Sequence, residues 1–247
     1  MKVAIVSDIH SNVEAFSVVK NKIEDLGVDK IFCLGDIVGY GPNPVEILNA
    51  VRENVDACIL GNHDEAVLEE PKYFNRIPYE AIMWTKVQFS YGQEKNLEFL
   101  GSLPSIYREQ GVVLTHGLLD NNMCYVDSTD DLMMIFDGMT EDDFICFGGH
   151  SHYPSIWALG EDELGPIELE PGQEVVLGPE VKKAWANVGS VGQPRDGDPR
   201  SSFMTWDTTE RTLAYHRVEY DFPTTMKKIR HIPELDNFLA DRLENGV

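Results

Sequence analysis

The chain has few cysteines, few basic residues and no long apolar run. Its 247 residues include 4 cysteines with no CxxC spacing, so we expect reduced thiols buried in the core. No apolar stretch approaches the roughly 20 residues needed to cross a bilayer. The first predicted strand follows Met1-Lys2 directly. We therefore expect neither secretion nor membrane insertion, and a cytoplasmic location.

Basic residues are outnumbered by acidic ones, 20 Lys and Arg against 42 Asp and Glu, which gives a net charge of −22 at pH 7. A large nucleic-acid footprint needs clustered Lys and Arg to neutralise phosphates, so we do not expect one. A small phosphoester substrate, screened by bound metal ions, is compatible with this charge.

The chain also has no internal repeat and no low-complexity linker. A chain of 247 residues can bury a sizeable core, and α/β enzymes of this size are commonly one domain. We predict a single domain over residues 1–247. The sequence carries no readable signal for the oligomeric state.

Five short apolar runs, β-branched or aromatic in character, each lead into a polar cluster. Such runs are typical of strands buried on both faces, and open α/β sheets bind ligands at the carboxyl ends of their strands. We therefore expect the five clusters to converge on one site. They are Asp8-Ile9-His10, Gly35-Asp36, Gly61-Asn62-His63-Asp64, Thr115-His116-Gly117 and Gly148-Gly149-His150-Ser151-His152.

The residue types in these clusters indicate a two-metal hydrolase. Asp carboxylates, His imidazoles and an Asn amide oxygen suit a borderline or hard divalent ion. A carboxylate shared by two ions can hold them roughly 3.5–4 Å apart, and Asp36 is our candidate for that bridging position. Two such ions activate a water and neutralise phosphate oxygens, so no Ser-His or Cys-His pair is required.

The order DxH, GD, GNHD, H and GHSH resembles the calcineurin-like metallophosphoesterase superfamily. Five motifs in the right order are far more specific than any one of them. The resemblance implies two divalent ions per chain and two sets of ligands: Asp8, His10, Asp36 and His152 in one, and Asp36, Asn62, His116 and His150 in the other.

The resemblance also implies that His63 is a histidine beside the phosphate that does not bind metal. Its ring can stabilise the pentacoordinate phosphorus or protonate the leaving oxygen, which is a general-acid role. The ordinary pKa of histidine suits that role, although two nearby cations disfavour the charged form of the ring.

Each cluster taken singly also has a purely structural interpretation. The segments around Asp8, Asp36 and Asn62 are rich in common turn formers, and a lone His at a strand end is usually a hydrogen-bonded core residue. Five clusters together favour the metal site. His216 and His231 follow no such run, and we predict structural roles for them.

The segment after Asp36 departs from the protein serine/threonine phosphatases of the superfamily, which carry an Asp and an Arg shortly after their GD. Here the segment reads Gly39-Tyr40-Gly41-Pro42-Asn43-Pro44. It is similar to the corresponding segment of small prokaryotic members of the superfamily instead. Because that Asp and that Arg are missing, an assignment as a protein phosphatase is weakened. Asn43, Tyr40 or Arg195 are candidates to take over part of their role.

The segment 187–198 is dense in Gly, Asn and Asp and is similar to the Asn-x-Gly-Ser segment that closes the active-site face in small members of the superfamily. One interpretation is that its backbone N–H groups and Arg195 contact a phosphate, which makes Arg195 a candidate substrate-binding residue. The other, which we weigh equally, is a tight turn with surface charges.

Helical spacing predicts helices at 11–27, 43–52, 78–91, 93–101, 222–230 and 233–243. We expect the insert 78–103 to shape the substrate site. Its apolar residues Tyr79, Met83, Trp84, Val87 and Tyr91 predict a core-facing stripe rather than a base-stacking platform.

Past His152 the pattern changes to strands at 155–159, 174–177, 184–188, 202–206 and 212–218, which we expect to pair antiparallel as a second sheet. The fold class is therefore α/β, a four-layer αββα sandwich of two mixed β-sheets flanked by helices. The family resemblance implies the same architecture.

These observations predict a dinuclear-metal-dependent phosphoesterase that hydrolyses a small phosphodiester, with a nucleotide as one candidate, by attack of a water or hydroxide that bridges the ions. The alternatives are a phosphomonoesterase, including a protein phosphatase, and a non-catalytic metal-binding scaffold. Scaffold members of the family typically lose ligands, and none is lost here. Mn²⁺, Fe, Zn²⁺, Co²⁺ and Ni²⁺ all accept nitrogen and oxygen ligands, and we favour Mn²⁺.

Overall fold

The predicted apolar runs form the parallel strands of two sheets. The computed structural model describes residues 1–161, 163–168 and 170–247. Its strands are β1 (Lys2–Val6), β2 (Lys30–Cys33), β3 (Ala57–Cys58), β4 (Ile106–Glu109), β5 (Val112–Thr115), β6 (Ile145–Gly148), β7 (Ser155–Leu159), β8 (Leu164–Ile167), β9 (Glu174–Val176), β10 (Lys183–Asn187), β11 (Ser201–Asp207) and β12 (Thr212–Val218). Its helices are α1 (Val13–Asp25), α2 (Pro44–Asn54), α3 (Asn62–Leu68), α4 (Arg76–Gln88), α5 (Glu94–Ser102), α6 (Thr129–Gly138), α7 (Phe222–Arg230) and α8 (Phe238–Asn245).

The first sheet has the strand order β3-β2-β1-β11-β12-β9. Strands β1, β2 and β3 run parallel, whereas β11, β12 and β9 are antiparallel to their neighbours. Cys33 at the end of β2 is paired with Val6 on one side and with Cys58 on the other. The segments that follow β1, β2 and β3 therefore leave the sheet at one edge.

The second sheet has the order β4-β5-β6-β10-β7-β8. Strands β5, β6 and β10 are parallel, and the outer pairs are antiparallel. Phe147 of β6 is paired with Leu114 of β5 and with Ala186 of β10. The segments that carry His116 and His150 and the segment that begins at Asn187 therefore leave at a common edge.

The strands after His152 do not form a separate sheet, contrary to our expectation. Strands β9, β11 and β12 extend the first sheet, while β7, β8 and β10 extend the second. Strand β1 has β2 on one side only, so its other edge is free to pair with β11. Pairing that buried edge satisfies backbone groups that would otherwise be left without partners.

Two sheets flanked by helices form four layers, which confirms the predicted αββα sandwich. Alternate residues of each strand face opposite sides, so Val3 and Ile5 lie between the sheets while Ala4 and Val6 face α1 and α2. The second sheet packs its outer face on α6: Val113, Cys146 and Trp185 against Leu132, Ile135 and Phe136.

Several elements differ from the sequence-based prediction. Helices α3 and α6 and strands β4 and β8 were not predicted. Helix α8 begins at Phe238 rather than near Pro233, because the Asp236 carboxylate accepts the backbone N–H of Phe238 and holds a turn there. Among the described residues, no helix combines the length and apolar character that a membrane span requires.

The predicted core-facing stripe of α4 is wrong, because Tyr79, Met83 and Val87 are 42 %, 40 % and 64 % exposed. The helix buries the opposite side instead, through Ala81 and Ile82. Ala81 packs with α7 and α8, and Ile82 packs among the helices that cover the first sheet. Trp84 of the predicted stripe is partly buried against the same α7 and α8 cluster as Ala81. The position of α4 is thus set by Ala81, Ile82 and Trp84 rather than by Tyr79, Met83 and Val87.

Candidate metal centre

The two sheets bring the five polar clusters together at one edge of the sandwich. All seven predicted ligands and His63 are at most 8 % exposed: Asp8, His10, Asp36, Asn62, His63, His116, His150 and His152. Ionisable side chains are rarely buried this completely unless they are paired or bind a metal. Their convergence from segments far apart in the chain marks this edge as the candidate site.

One group of possible ligands consists of Asp8, His10 and His152, whose donor atoms all lie within 4.8 Å of one another. Nε2 of His152 is 3.1 Å from Oδ1 of Asp8, and Nε2 of His10 is 3.7 Å from the same oxygen. Oδ1 of Asp8 accepts no hydrogen bond although it is buried. The three side chains therefore point donor atoms at a common centre.

The second group consists of Asp36, His116 and His150, again within 4.8 Å. Oδ1 of Asn62 lies 2.9 Å from Nε2 of His116, which brings Asn62 to the same place. Oδ2 of Asp36 is 3.4 Å from Nε2 of His116 and 3.7 Å from Nε2 of His10. Asp36 thus lies between the two groups, as a bridging carboxylate must.

The hydrogen bonds of three histidines leave a ring nitrogen of each free to bind a metal ion. Nδ1 of His10, His116 and His152 each lies within 3.1 Å of a backbone carbonyl oxygen, of Val38, Leu34 and Gln193 in turn. Donation from Nδ1 leaves a lone pair on Nε2 of each neutral ring. Nε2 of His10 and Nε2 of His152 are only 3.2 Å apart. Two lone pairs facing each other at this distance repel unless a cation lies beside them.

His150 is oriented differently. Its Nε2 is 3.2 Å from the backbone oxygen of Met123, to which it can donate, and this leaves Nδ1 for the centre. The ring of Tyr125 stacks on His150 at 4.2 Å between centroids and 17° between planes. The sequence offered no signal for either contact, because Met123 and Tyr125 lie in a loop without a motif.

The pKa shifts of His116 and Asp36 arise from opposite charges that are buried close together. Burial by itself lowers the pKa of His116, but the carboxylates of Asp36 and Asp8 outweigh it and raise the value to about 10. Burial also opposes ionisation of Asp36, yet the neighbouring His116 and His63 hold the pKa of Asp36 well below its usual range. A bound metal ion would keep Asp36 ionised in the same way, and it would displace the proton from His116.

The backbone at the ligands is strained. Asp8, His10, Asp36, His150 and His152 all have positive φ, between 47° and 66°. Side-chain-bearing residues adopt this left-handed region at a cost of about 1–3 kcal/mol each, and such strain is concentrated at functional sites. The fold thus maintains an unfavourable local conformation to direct these side chains inward.

Asp64 is a site residue to which the sequence analysis assigned no role. Its carboxylate accepts the backbone N–H groups of Ile37, Val38 and Gly61 at 3.1–3.2 Å. Burial and the charge of Asp36 raise the pKa of Asp64 to about 7, although the three N–H donors act in the opposite direction. Asp64 joins the segments after β2 and β3, and so positions Asp36 relative to Asn62.

His63 lies beside the metal ligands and takes no part in either group. Its backbone N–H donates to Oδ1 of Asp36 at 2.8 Å. Its ring meets His10 and Phe74 edge-on at 4.9 and 5.2 Å between centroids, and Nδ1 has no hydrogen-bond partner among the described residues. Burial lowers the pKa of His63 to about 4, so the free ring is neutral near pH 7.

A cavity of about 250 Å³ opens onto both groups of ligands. Its floor includes Asp36, Asn62, His63, His150 and His152. Its walls are Tyr40, Tyr73, Phe74, Asn75, Pro78, Met123, Tyr125 and Arg195. Of the predicted insert 78–103, only Pro78 is among these residues, so the segment just before α4 shapes the cavity instead.

The segment 187–198 matches neither interpretation completely. The backbone N–H groups of Gly189, Val191, Gly192 and Gln193 all donate to acceptors within the protein, so they are not available to a phosphate. Arg195 does line the cavity, with its guanidinium 5.8 Å from the centre of the Tyr40 ring. The other two histidines lie elsewhere: His216 stacks on Phe203, and His231 is exposed at the residue that follows α7.

Comparison with known proteins agrees with this geometry. Residues 1–211 match the model of the calcineurin-like phosphoesterase superfamily domain. The uncharacterized protein MJ0912 of Methanocaldococcus jannaschii is 38 % identical, over 99 % of this chain and 98 % of its own length.

Two solved structures have the same fold along the full chain. A metallophosphoesterase from Sphaerobacter thermophilus superimposes with a TM-score of 0.85 at 33 % identity, covering 100 % of this chain and 99 % of its own. The hypothetical protein PH1004 of Pyrococcus horikoshii OT3 gives a TM-score of 0.78 at 19 % identity, with 100 % and 98 % covered. The second likeness concerns the fold alone.

The fold, the two groups of buried ligands and the family match all lead to one assignment. The sequence-based recognition of the family is confirmed, and so is the prediction of an enzyme. The chain belongs to the calcineurin-like phosphoesterase superfamily and is a metal-dependent phosphoric ester hydrolase.

Proposed function

We propose that this enzyme hydrolyses a small phosphodiester. The observation that carries the proposal is the cavity, which places both groups of ligands on one side and aromatic residues on the other. A diester has organic groups on two sides of the phosphorus, so it needs apolar space next to the metal centre as well as ligands. Tyr73, Phe74 and Tyr125 supply that space.

A nucleotide is our candidate for the organic part. The side chains of Tyr73 and Tyr125 are 94 % and 47 % exposed at the cavity. An aromatic ring with a free face can stack on a base, a contact worth roughly 1–3 kcal/mol per base. This supports a substrate with one or two bases, although any flat aryl group would stack in the same way.

The seven buried ligands hold the metal ions in this proposal: Asp8, His10, Asp36, Asn62, His116, His150 and His152. Two bound divalent ions supply an activated water and neutralise the phosphate oxygens. The donors are nitrogen and oxygen atoms without a thiolate, a set that Mn²⁺ accepts readily, and Mn²⁺ is our first choice.

His63 and Arg195 act on the substrate. His63 directs its ring into the cavity, where it donates a proton to the leaving oxygen. The anionic phosphate next to the ring favours the protonated form and so raises the low pKa of the free enzyme. Arg195 donates to a non-bridging oxygen from the cavity wall.

We place the enzyme in the cytoplasm. All four cysteines are free, and three of them are buried. Free thiols persist in reducing compartments, which supports this location. The binding partner in this proposal is the small phosphoester substrate.

The proposal is tested by hydrolysis of bis-p-nitrophenyl phosphate beside p-nitrophenyl phosphate. Chelator-stripped protein is resupplied with Mn²⁺ and then with Fe²⁺, Co²⁺, Ni²⁺ or Zn²⁺. We expect metal-restored cleavage, fastest with Mn²⁺, with a higher kcat/KM for the diester than for the monoester. Faster cleavage of the monoester would instead identify a phosphatase, and metal binding without any turnover would indicate a scaffold.

A further inference from the structure

A buried tyrosine lines the cavity next to the metal ligands. Tyr40 is only 9 % exposed, and it forms part of the cavity wall beside Asp36 and Asn62. Its φ is +56°, in the left-handed region that bulky side chains rarely adopt. Such conformations persist where the surrounding structure holds them, and they are concentrated at functional sites.

The backbone around Tyr40 is held against the first ligand segment. The backbone N–H groups of His10 and Ser11 donate to the backbone oxygens of Asp36 and Ile37 at 3.0 and 2.9 Å. A Cβ atom at Gly41 would lie 2.2 Å from the backbone oxygen of His10. This close approach fixes the direction in which the side chain of Tyr40 leaves the backbone.

Two histidine rings hold the ring of Tyr40. It meets His10 edge-on at 4.6 Å between centroids, and it is tilted by 51° against His63 at 4.5 Å. A phenylalanine would make the same ring contacts, so packing does not account for the hydroxyl. A buried tyrosine hydroxyl normally has a hydrogen-bond partner.

The polar neighbour of the hydroxyl within the described part of the chain is Arg195, whose guanidinium carbon lies 5.8 Å from the centre of the Tyr40 ring. Burial raises the pKa of Tyr40 above its ordinary value of 10.0, although Arg195 opposes this rise, so the phenol is protonated near pH 7. A guanidinium group has no acceptor. The hydroxyl of Tyr40 therefore has a proton to donate that Arg195 cannot accept.

The cavity indicates which acceptor this proton meets. It opens onto both groups of metal ligands, so the scissile phosphate lies there in the proposed function. A phosphodiester has two non-bridging oxygens that share one negative charge, and a donor to either forms a charge-assisted hydrogen bond. Tyr40 contacts both His63 and Arg195, which we assign to the leaving oxygen and to a non-bridging oxygen.

We propose that Tyr40 is a further catalytic residue, whose hydroxyl donates a hydrogen bond to a non-bridging oxygen of the scissile phosphodiester. The inference rests on the proposed function, since it concerns the same site and the same substrate. It adds a neutral donor beside the cationic Arg195.

The first test is Tyr40→Phe, which keeps the ring contacts and removes only the hydroxyl. We expect kcat/KM for bis-p-nitrophenyl phosphate to fall roughly tenfold to hundredfold, with metal content unchanged. Tyr220→Phe is the matched control, because Tyr220 is 8 % exposed, its hydroxyl also has no partner among the described residues, and it is not among the residues that line the cavity. The control should retain the native kcat/KM. A native value in Tyr40→Phe as well would overturn the proposal.

Two leaving groups distinguish a contact with the substrate from mere support of His63. A donor to a non-bridging oxygen acts on every diester, so Tyr40→Phe should lose activity by a similar factor on bis-p-nitrophenyl phosphate and on a thymidine dinucleotide, whose leaving group is an alkoxide. A displaced proton donor would cause a much larger loss for the alkoxide. That difference would overturn the contact and leave Tyr40 as a support of His63.

A binding measurement separates this inference from the proposed function. Inorganic phosphate is titrated by calorimetry into the Mn²⁺-loaded native protein, Tyr40→Phe and Tyr220→Phe. We expect affinity roughly tenfold or more lower in Tyr40→Phe alone. If the native protein prefers the diester but Tyr40→Phe matches it in kcat/KM and in phosphate binding, the inference fails alone. If phosphate binding follows the prediction but the monoester is preferred, the proposed function fails and the contact of Tyr40 with the phosphoryl group stands.

Discussion

The imidazole of His63 occupies the space that a side chain at residue 39 would need. A Cβ atom at Gly39 would lie 2.4 Å from Nδ1 of His63, and Gly39 has a φ of +91°. Glycine is therefore required at this position both for its backbone conformation and for the close approach of the ring. The segment after Asp36 thus acts as the support on which His63 rests.

Replacing Gly39 by alanine should displace His63 without removing any functional group. We expect kcat to fall roughly tenfold or more, because a misplaced proton donor loses its geometry, and we expect a loss of stability of a few kcal/mol. The control is Gly27→Ala, since Gly27 also has a positive φ of +61° but no atom within 4 Å of its Cβ position. Gly27→Ala should cost about 1–2 kcal/mol in urea unfolding and leave kcat unchanged. Equal kcat in the two variants would contradict the supporting role of Gly39.

Replacing Asp36 by asparagine tests the bridging position. Asparagine keeps an oxygen that accepts the backbone N–H of His63, a contact of 2.8 Å in the native chain, but it loses the charge shared by the two groups. We expect metal content to fall below two ions per chain and turnover to fall roughly hundredfold or more. Elemental analysis beside kinetics measures both. Two retained metals with a normal rate would reject the bridging assignment.

Replacing His63 by alanine separates catalysis from metal binding. His63 belongs to neither group of ligands, so metal content should stay at the native value. Loss of a general acid should lower kcat by roughly 10²–10⁴. A leaving group that needs no proton, such as p-nitrophenolate, should show a smaller loss than an alkoxide. If kcat is unchanged for both leaving groups, His63 has a structural role only.

His216 predicts a pH dependence of stability that is independent of the metal centre. Burial lowers its pKa from 6.5 to about 4, and its ring stacks on Phe203 and contacts the Thr205 hydroxyl at 3.0 Å. Between these two pH values the unfolded chain binds a proton that the folded chain does not. Stability therefore rises with pH in this window and is lost as the pH falls below 6.5.

The measurement is the free energy of urea unfolding of the native chain and of His216→Gln, from neutral pH down to about 4. The native chain should lose about 1–2 kcal/mol more than the variant, a value reduced for the partial exposure of the ring. Parallel pH profiles of the two proteins would show that His216 titrates equally in both states.

The site could be read from the sequence because each ligand follows a buried strand. An apolar run such as 3–6 predicts the strand by itself, and the polar residues directly after it have to emerge at the strand's end. Helix α6 was readable too, since Ser128 and Asp131 form a capping box ahead of Leu132, Ile135 and Phe136.

Other features could not be read in this way, because they depend on contacts between distant segments. The assignment of β11 to the first sheet required the free edge of β1. The outward face of α4 followed from how closely Ala81 and Ile82 pack, which outweighs the size of Tyr79 and Met83.

The sequence by itself determined the family, the fold class and the set of residues that meet at the strand ends, because local patterning dictates strands and the chain order carries the motif. Tertiary structure decided which sheet each late strand joins, the positioning role of Asp64, and the placement of Tyr40 against His10 and His63. These features arise from packing and charge between elements that are far apart along the chain, and no local pattern encodes them.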